Sequence, residues 1–443
     1  MRNLIFSFFN QPAFIVGVIA FIGLVAQKKG LSQIINGTSK TIIGFLVFSI
    51  GSGAIAQALE KLGPAFESAF KLQGVIPTNE AVIGIAQEQF GASMALIMAF
   101  GFAVNLILAR FTPLKYVFLT GHHILFMAAL CAAVLSAVGF EGASLIGAGS
   151  LLLGMSMVIT PALVQPYYRA VTGNDSVAMG HYNALTFCLA GFLAAKFGDK
   201  AHSTEKVKVP ESMGLLRDNV ISTAIIMLII YLVTFLLADD SVIDKLSNGQ
   251  NKVIFAIVTA MQFTGGFVIV LQGVRMMLAE IIPAFRGLSQ KLVPNAVPAL
   301  DCPVTFPFAP NAVIIGFLAS TAGAIVSFFI LPFTGLALII PSMMECFFVG
   351  AAAGVLANAQ GGLRGVAIGC FVNGFILNTL PALLLPMLGS LGYANSTFGD
   401  SDFAVNGLVI GHLGKSFGEI GVWVFIIFLL LVLFSLNLRK RQV

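Results

Sequence analysis

Long apolar runs follow one another along almost the whole chain. Runs of about 17 to 25 apolar residues are long enough to cross a bilayer as α-helices. The pattern predicts eleven such spans, at about 11–27, 41–58, 90–109, 117–138, 142–166, 214–238, 252–273, 311–331, 335–357, 365–388 and 420–438. Two further apolar stretches, at about 178–195 and 402–413, are interrupted by Gly, Asn and His, and we interpret them as re-entrant hairpins.

The composition agrees with a membrane protein. Of the 443 residues, 58% are hydrophobic and only 10% are charged, whereas a soluble domain carries roughly 25% charged residues. We therefore predict an all-α polytopic membrane protein with a single transmembrane domain over 1–443, no cleavable signal peptide and no soluble domain. The sequence contains no P-loop and no nucleotide-binding domain, which excludes a self-contained ATP-driven pump.

Basic residues are unevenly divided between the two sides of the predicted membrane protein. With the N-terminus outside, 18 of the 24 Lys and Arg residues fall on the cytoplasmic side, and the opposite orientation reverses that bias. The positive-inside rule therefore predicts an outside N-terminus and a cytoplasmic C-terminus. The net charge of +5 then reports topology rather than binding to nucleic acid.

Two short patterns recur at nearly the same distance along the chain. They are Pro64-Ala-Phe66, repeated as Pro283-Ala-Phe285, and Pro161-Ala-Leu-Val-Gln-Pro166, repeated as Pro381-Ala-Leu-Leu-Leu-Pro386. Each half then holds five spans, an odd number, so the halves lie inverted in the membrane. We predict a first repeat over 1–200, a second over 214–415 and an extra C-terminal helix at 420–438.

The stretch from Pro294 to Asn311 combines five prolines with a single carboxylate, Asp301. Each proline removes a backbone donor and disfavours helix in the preceding residue, so this run cannot be one continuous helix. At membrane depth its free carbonyl groups would have to line a polar cavity, where an ionisable residue would hold a solute. A cytoplasmic loop in which Asp301 caps the next helix is the alternative. The repeat gives this stretch a counterpart at 77–80.

Three Gly-His pairs and one acidic residue could carry chemistry. The pairs contain His122, His181 and His412, and His123 follows the first. Imidazole can donate, accept or take up a proton near neutral pH; the alternative is a ring that bonds a carbonyl group and holds helices together. Glu345 lies within a span, where a carboxylate is costly and indicates function, although a hydrogen bond to a neighbouring helix would also explain it.

The second span carries small residues at short intervals, in Gly44-Phe-Leu-Val-Phe-Ser-Ile-Gly-Ser-Gly53. Such spacing is typical of closely packed helices. Exposure of the backbone to a ligand at Gly51 and Ser52 is the alternative. The five cysteines stand singly in apolar surroundings without metal-binding spacing, so we interpret them as small buried hydrophobes and predict no metal site and no cofactor.

Several motifs resemble the ascorbate-type enzyme IIC permeases of the bacterial phosphotransferase system, within the ascorbate/galactitol superfamily. They are Asn36-Gly-Thr-Ser-Lys-Thr-Ile-Ile-Gly-Phe45 with Gly51-Ser-Gly53, Leu119-Thr-Gly-His122, Asp218-Asn-Val-Ile-Ser-Thr-Ala224, Gln272-Gly-Val-Arg-Met276 and Ala309-Pro-Asn-Ala-Val313. The resemblance implies a homodimer of eleven-span subunits, each with a dimerising V-motif domain and a mobile core domain that moves as an elevator. It also implies that a cytoplasmic enzyme IIB, recharged by enzyme IIA, phosphorylates the sugar during uptake.

The resemblance also implies which positions contact the sugar. These are Gly51, Asn79, His122, His181 and Asp301. We add candidate substrate-binding residues that adjoin them or lie within a span: Ser52, Glu80, His123, Phe126, Tyr182, Asn183 and Glu345. The chain departs from the ascorbate permeases at several of these positions, with Phe126, Tyr182 and Asn183 where glutamines are expected. Because lost hydrogen-bonding groups change the discrimination between substrates, the resemblance predicts a permease without fixing its sugar.

The predicted function is elevator-type uptake of ascorbate or a related small sugar, coupled to phosphorylation by enzyme IIB. Asp301 and His122 are the candidate catalytic bases, since phosphoryl transfer needs a group that removes the hydroxyl proton. The expected partners are the sugar, enzymes IIA and IIB, membrane lipids and a second copy of the chain, but no nucleic acid. An ion-coupled secondary transporter on the same fold is the alternative, and an intramembrane lipid-transferring enzyme is a third.

Overall fold

The computed structural model describes residues 12–71, 74–207, 219–389 and 396–440, and it is mainly helical. The helices are α1 (Pro12–Ala26), α2 (Leu31–Phe70), α3 (Asn79–Phe111), α4 (Gly121–Ala137), α5 (Gly142–Thr172), α6 (Ala184–Phe197), α7 (Asn219–Leu237), α8 (Asp240–Ser247), α9 (Lys252–Leu292), α10 (Pro310–Ile330), α11 (Met343–Leu384) and α12 (Ser401–Lys440). Six short strands lie between them: β1 (Gly74–Pro77), β2 (Tyr116–Phe118), β3 (Ala178–Met179), β4 (Val297–Leu300), β5 (Leu338–Ile339) and β6 (Ser396–Thr397).

Seven helices in the described part of the chain are long and apolar enough to cross a membrane, namely α2, α3, α5, α9, α10, α11 and α12. This supports the prediction of a multi-pass membrane protein. Backbone breaks at Gly361–Gly362 and Gly418 divide α11 and α12, so each contains two helical segments. Of the two predicted re-entrant hairpins, 402–413 lies within the first helical segment of α12, before the break at Gly418, and 178–195 contains β3 and most of α6. A re-entrant course for either stretch remains a prediction. Eleven crossings remain a prediction.

The strands form two three-stranded parallel sheets that the hydrophobic pattern did not predict. In the first sheet β1 lies between β5 and β6, and in the second β4 lies between β2 and β3. Each central strand thus comes from one half of the chain and both of its neighbours come from the other half. Strands of two to four residues carry too little alternation to be recognised in so apolar a sequence. Their pairing satisfies backbone groups that no helix satisfies.

The proline-rich stretch has the broken backbone that its sequence predicts. After β4 come two single turns of 3₁₀ helix, at Cys302–Val304 and Phe306–Phe308, and α10 begins at Pro310. Proline suits the first position of a helix because its missing N–H group would have no partner there. Asp301 therefore follows the end of β4 and begins a stretch of irregular backbone. Because β4 pairs with β2 and β3, Asp301 lies beside strands from the first half of the chain.

Glycines set the closest approach between α2 and α9. A Cβ atom added at Gly44 would lie 2.5 Å from the backbone nitrogen of Met277, and one at Gly51 would lie 2.6 Å from that of Val270. Small residues at such contacts let two apolar helices approach until their backbones touch. Gly51 therefore lies at a helix–helix contact, in agreement with the packing interpretation of its motif.

A second glycine contact joins α10 to α11. A Cβ atom at Gly374 would overlap the backbone carbonyl of Ser320, and one at Gly323 would overlap that of Phe371. Because backbone atoms on both sides form this contact, no side chain can rotate away to make room.

We expect Gly374→Ala to lower the free energy of unfolding by about 1–3 kcal/mol, since overpacking a tight contact forces the two helices apart. Thermal unfolding of the purified protein in detergent measures the loss. Gly53→Ala is the matched control, because a Cβ atom there meets nothing within 4 Å. Equal unfolding temperatures for the two variants would contradict this packing.

Candidate functional site: a polar cavity at the strand ends

A cavity of about 560 Å³ opens between the two sheets and the helices that follow them. Its polar lining comprises Asn79, Glu80, His122, His123, His181, Arg275, Asp301, Glu345 and Asp400. Aromatic rings, including Phe126, Phe306, Phe347 and Phe348, form much of the remaining wall. Cavities of roughly 300–1,000 Å³ with a few convergent polar groups are typical binding sites for small molecules. In size and lining, this cavity suits a small polar solute with apolar faces.

The polar groups reach the cavity because each strand ends beside it. One of them follows the carboxyl end of every strand within six residues: Asn79 after β1, His122 after β2, His181 after β3, Asp301 after β4, Glu345 after β5 and Asp400 after β6. Within each sheet the strands are parallel, so their carboxyl ends lie at the same edge. The two sheets therefore bring polar residues from both halves of the chain into one cavity.

Asp301 lies between two imidazole rings. Its Oδ2 is 3.4 Å from Nε2 of His122, and its Oδ1 is 3.8 Å from Nε2 of His181. The backbone N–H of Cys302 donates to Oδ1 at 2.7 Å, so the carboxylate also caps the first 3₁₀ turn. The side chain is about 30% exposed, which leaves it accessible to a solute. The capping and binding interpretations of Asp301 are thus compatible.

Asp400 joins the two sheets at the back of the cavity. Its Oδ2 accepts from Nδ2 of Asn79 at 2.8 Å, and its Oδ1 accepts from Nδ2 of Asn183 at 2.5 Å. Nδ1 of His123 lies 3.9 Å from Oδ2, which is too far for a hydrogen bond. With only 2% of its surface exposed, Asp400 depends on the two amide groups for its hydrogen bonds.

The orientation of Asn183 determines the tautomer of His181. Oδ1 of Asn183 accepts from the backbone N–H of Ser401 at 2.8 Å, so its Nδ2 must be the group facing His181. Nδ2 lies 3.1 Å from Nδ1 of His181 and can only donate there. The proton of a neutral His181 ring is therefore on Nε2, which faces Asp301.

Two further carboxylates hold the strand ends in position. Asp402 accepts from the backbone N–H groups of Ala184 at 2.7 Å and Leu185 at 3.1 Å, and so caps α6. Before β3, Asp175 accepts from Nε of Arg169 at 2.7 Å and from Gln165 at 2.9 Å. These hydrogen bonds lower the pKa of Asp175, a loop residue. Asp175 thus holds the backbone before His181, and Asp402 holds the backbone after it.

The structure places eight of the twelve predicted substrate-binding residues on the cavity. They are Asn79, Glu80, His122, His123, Phe126, His181, Asp301 and Glu345. Among the others, Tyr182 is buried with its hydroxyl 2.8 Å from that of Ser156, and Asn183 supports the site from behind. Gly51 packs on α9, and the side chain of Ser52 lies outside the described residues.

Sequence reasoning missed three residues at or near this site. Asp400 and Arg275 line the cavity, and Asp402 supports its edge. Asp400 and Asp402 lie at the start of a long apolar stretch, where any carboxylate indicates a function. That signal was present in the sequence. Of the remaining histidines, His202 pairs with Asp199 in a loop, and His412 is exposed and bonds the carbonyl of Leu408.

Three of the cavity residues could in principle hold a metal ion. Ligand atoms of His123, His181 and Asp400 lie within 4.8 Å of one another. However, both oxygens of Asp400 already accept amide protons, and Nδ1 of His181 already accepts from Asn183. Because these groups are committed to hydrogen bonds, this trio favours a hydroxylated solute over a metal ion. Two overlapping trios also have ligand atoms within 4.8 Å of one another, namely His122 with His123 and Asp301, and His181 with Asp301 and Cys302.

Comparison with known proteins identifies the family. Residues 7–402 match the family model EIIC-GAT, described as the sugar-specific permease component of the phosphotransferase system. The chain belongs to this family. The ascorbate-specific EIIC component of the phosphotransferase system from Mycoplasma pneumoniae is 28% identical over 428 residues, covering 84% of this chain and 64% of that protein. The chain thus spans slightly less than two thirds of the length of this relative. The predicted family resemblance is confirmed.

We expect Asp402→Ala to lower the free energy of unfolding by about 1–3 kcal/mol, because it leaves two backbone donors at the start of α6 without a partner. Asp402→Asn keeps one acceptor oxygen and should cost less. Asp244→Ala, on an exposed face of α8, is the control. Thermal unfolding in detergent checks the order, and an unfolding temperature for Asp402→Ala equal to that of the control would contradict the capping role.

Proposed function

We propose that this protein is the permease of a phosphotransferase-type uptake system and binds a small sugar in the cavity between its two sheets. The observation that carries the proposal is the convergence of six polar strand ends, from both halves of the chain, on one cavity of about 560 Å³. Membership of a family of sugar-specific permeases supports the same conclusion. Sugar hydroxyls can both donate and accept, which matches a lining of carboxylates, amides and imidazoles.

The roles of the individual residues follow from their geometry. Asp301 accepts hydrogen bonds from sugar hydroxyls, Nε2–H of His181 points toward it from one side, and Nε2 of His122 lies on its other side. Phe126 offers a ring face to the apolar side of the sugar. When a cytoplasmic partner presents its phosphoryl group, Asp301 or His122 takes the hydroxyl proton. Enzymes IIB and IIA are the expected partners in this scheme.

Inverted repeats, an elevator motion and a homodimer are part of the proposal. The repeat is supported by the sheet topology, because the central strand of each sheet comes from one half of the chain and its two neighbours come from the other half. Polar residues at equivalent positions after the strands also support it. Asn79 and Asp301 both follow a central strand closely. His123 and Glu345 are each the third residue of the helix after a flanking strand. In the elevator scheme the two sheets and their helices move as a body past α2 and α9, with the N-terminus outside and the C-terminus in the cytoplasm.

The identity of the sugar is the least constrained part of the function. The Mycoplasma pneumoniae relative is named for ascorbate, and ascorbate or a related small sugar is the first candidate here. A thermal-shift screen of the purified protein against ascorbate, pentoses, hexoses and polyols would identify the ligand, because a solute that binds only the folded protein raises its unfolding temperature.

For the best ligand from that screen, we expect Asp301→Ala to raise the dissociation constant roughly ten- to a hundredfold. Hydrogen bonds to a charged group contribute about 1.5–3 kcal/mol each, and 1.4 kcal/mol corresponds to a factor of ten. Isothermal titration calorimetry measures the change, with Asp244→Ala as the control. A dissociation constant equal to that of the wild type would remove Asp301 from the sugar site.

Coupling to phosphorylation is tested by transport. In proteoliposomes supplied with enzymes IIA and IIB and a phosphoryl donor, we expect the sugar to accumulate only in phosphorylated form. An ion-coupled secondary transporter is the second candidate, because the buried carboxylate of Glu345 has no hydrogen-bond partner among the described residues and could carry a proton. Accumulation of unmodified sugar driven by a pH gradient alone would favour that candidate and contradict phosphorylation coupling.

A further inference from the structure

Arg275 is the one arginine or lysine in the described lining of the cavity. An arginine side chain keeps its positive charge at every physiological pH. It is exposed, and it forms no ion pair or hydrogen bond with any residue that the structure describes. Four acidic side chains line the same cavity without pairing with it, namely Glu80, Asp301, Glu345 and Asp400. The guanidinium group is therefore open to an anion that enters the cavity.

The backbone that carries Arg275 is held firmly by the packing of α9. Two residues before it, Gly273 lies against the backbone of Phe48 in α2, and an added Cβ atom would overlap that backbone. Two residues after it, Met277 is fully buried. A binding group on a well-packed helix is placed more precisely than one on a loop. Arg275 thus extends into the cavity from a fixed backbone, on a different element from Asp301.

Arg275 lies on the side of the cavity that the predicted topology places toward the cytoplasm. In that orientation the predicted span 252–273 runs inward, so Arg275 follows its cytoplasmic end. Pro310 also lines the cavity, and the next residue, Asn311, donates its backbone N–H to Glu205 at 3.1 Å. Glu205 belongs to a polar stretch that the same topology places in the cytoplasm. A phosphoryl group presented by a cytoplasmic partner would therefore enter on the side of Arg275.

The proposed reaction brings a strongly anionic group into this cavity. A hydroxyl oxygen of the sugar forms a bond to phosphorus, and the bond from phosphorus to the partner's phosphorylated side chain breaks, leaving its electron pair on that side chain. The hydroxyl proton passes to Asp301 or His122. The product is a phosphate monoester, which carries a charge of about −1.5 to −2 at pH 7. Positive groups that hold the phosphoryl oxygens stabilise this charge during transfer.

Building on the proposed function, we propose that Arg275 binds the phosphoryl group, both during its transfer and in the sugar phosphate that results. The planar guanidinium group can donate two parallel hydrogen bonds to phosphate oxygens. The imidazoles of His122, His123 and His181 lie instead among the strand ends, with ligand atoms close to Asp301 or Asp400. Arg275 should therefore affect binding of the phosphorylated sugar strongly and binding of the sugar itself little.

The test compares sugars with their own phosphate esters on the full-length protein in detergent at pH 7. The probes are ascorbate, galactitol, xylitol and D-xylose, each paired with its phosphate ester at a terminal hydroxyl group. Isothermal titration calorimetry gives the dissociation constants, and the ester ratio is the dissociation constant of the ester divided by that of its sugar. For the pair whose sugar binds most tightly, Arg275→Gln should raise the ester ratio roughly tenfold or more over the wild type, equivalent to about 1.4 kcal/mol.

Arg364→Gln makes the same chemical change at an exposed residue that does not line the cavity, so it should leave the ester ratio as in the wild type. A purely structural role for Arg275 would weaken sugar and ester alike and would also leave the ratio unchanged, which overturns the proposal. If Arg275→Gln does not fold, as judged by gel filtration, Arg275→Lys replaces it. Lysine keeps the charge but not the planar fork, so the ratio should rise about threefold, and an unchanged ratio overturns the proposal there too.

The outcomes separate this inference from the function on which it rests. A wild type that binds a sugar but not its phosphate ester overturns the role of Arg275 and leaves a sugar permease in place. A wild type that binds none of the sugars and none of the esters overturns this inference and counts against the sugar site itself. Binding of both members of a pair, with an ester ratio that rises in Arg275→Gln and not in Arg364→Gln, supports both.

Discussion

The site depends on the pairing of extended backbone between membrane-spanning helices. Irregular backbone among such helices must satisfy its own N–H and C=O groups, since hydrocarbon offers no partner. Here the chain meets that requirement with two small parallel sheets, each made of strands from both halves. Every strand end then carries a polar side chain toward one cavity. The same backbone pairing that permits the breaks between helices therefore also assembles the site.

Asp400 shows how the two sheets are held together by side chains. It follows β6 in the first sheet, yet it accepts from Asn183, which follows β3 in the second. The other donor to Asp400 is Asn79, which follows β1 in the first sheet. A buried carboxylate with two amide donors is stable only while all three groups keep their places. The residue is thus a link between the halves as well as part of the cavity lining.

The cavity combines fully satisfied groups with groups left open. Asp400, Asn79 and Asn183 bond one another and the backbone, so they hold fixed positions before any solute arrives. Glu345 lacks such partners, and Asp301 remains partly exposed. Fixed groups reduce the cost of ordering the site on binding, and open groups supply the interactions a ligand can gain. Under the proposed sugar binding, this division accounts for the polar residues buried around the cavity.

The sequence by itself determined the class of the protein, most of its helices and the character of its central residues. Long apolar runs, the prolines around Asp301 and the Gly-His pairs are local signals, and local signals can be read without a partner strand. Only the tertiary structure showed that β1 pairs with strands from the second half of the chain and β4 with strands from the first. It alone also showed that Asp400 links the two sheets and that Gly51 packs against α9. These features depend on contacts between residues hundreds of positions apart, for which two- to four-residue strands leave no pattern.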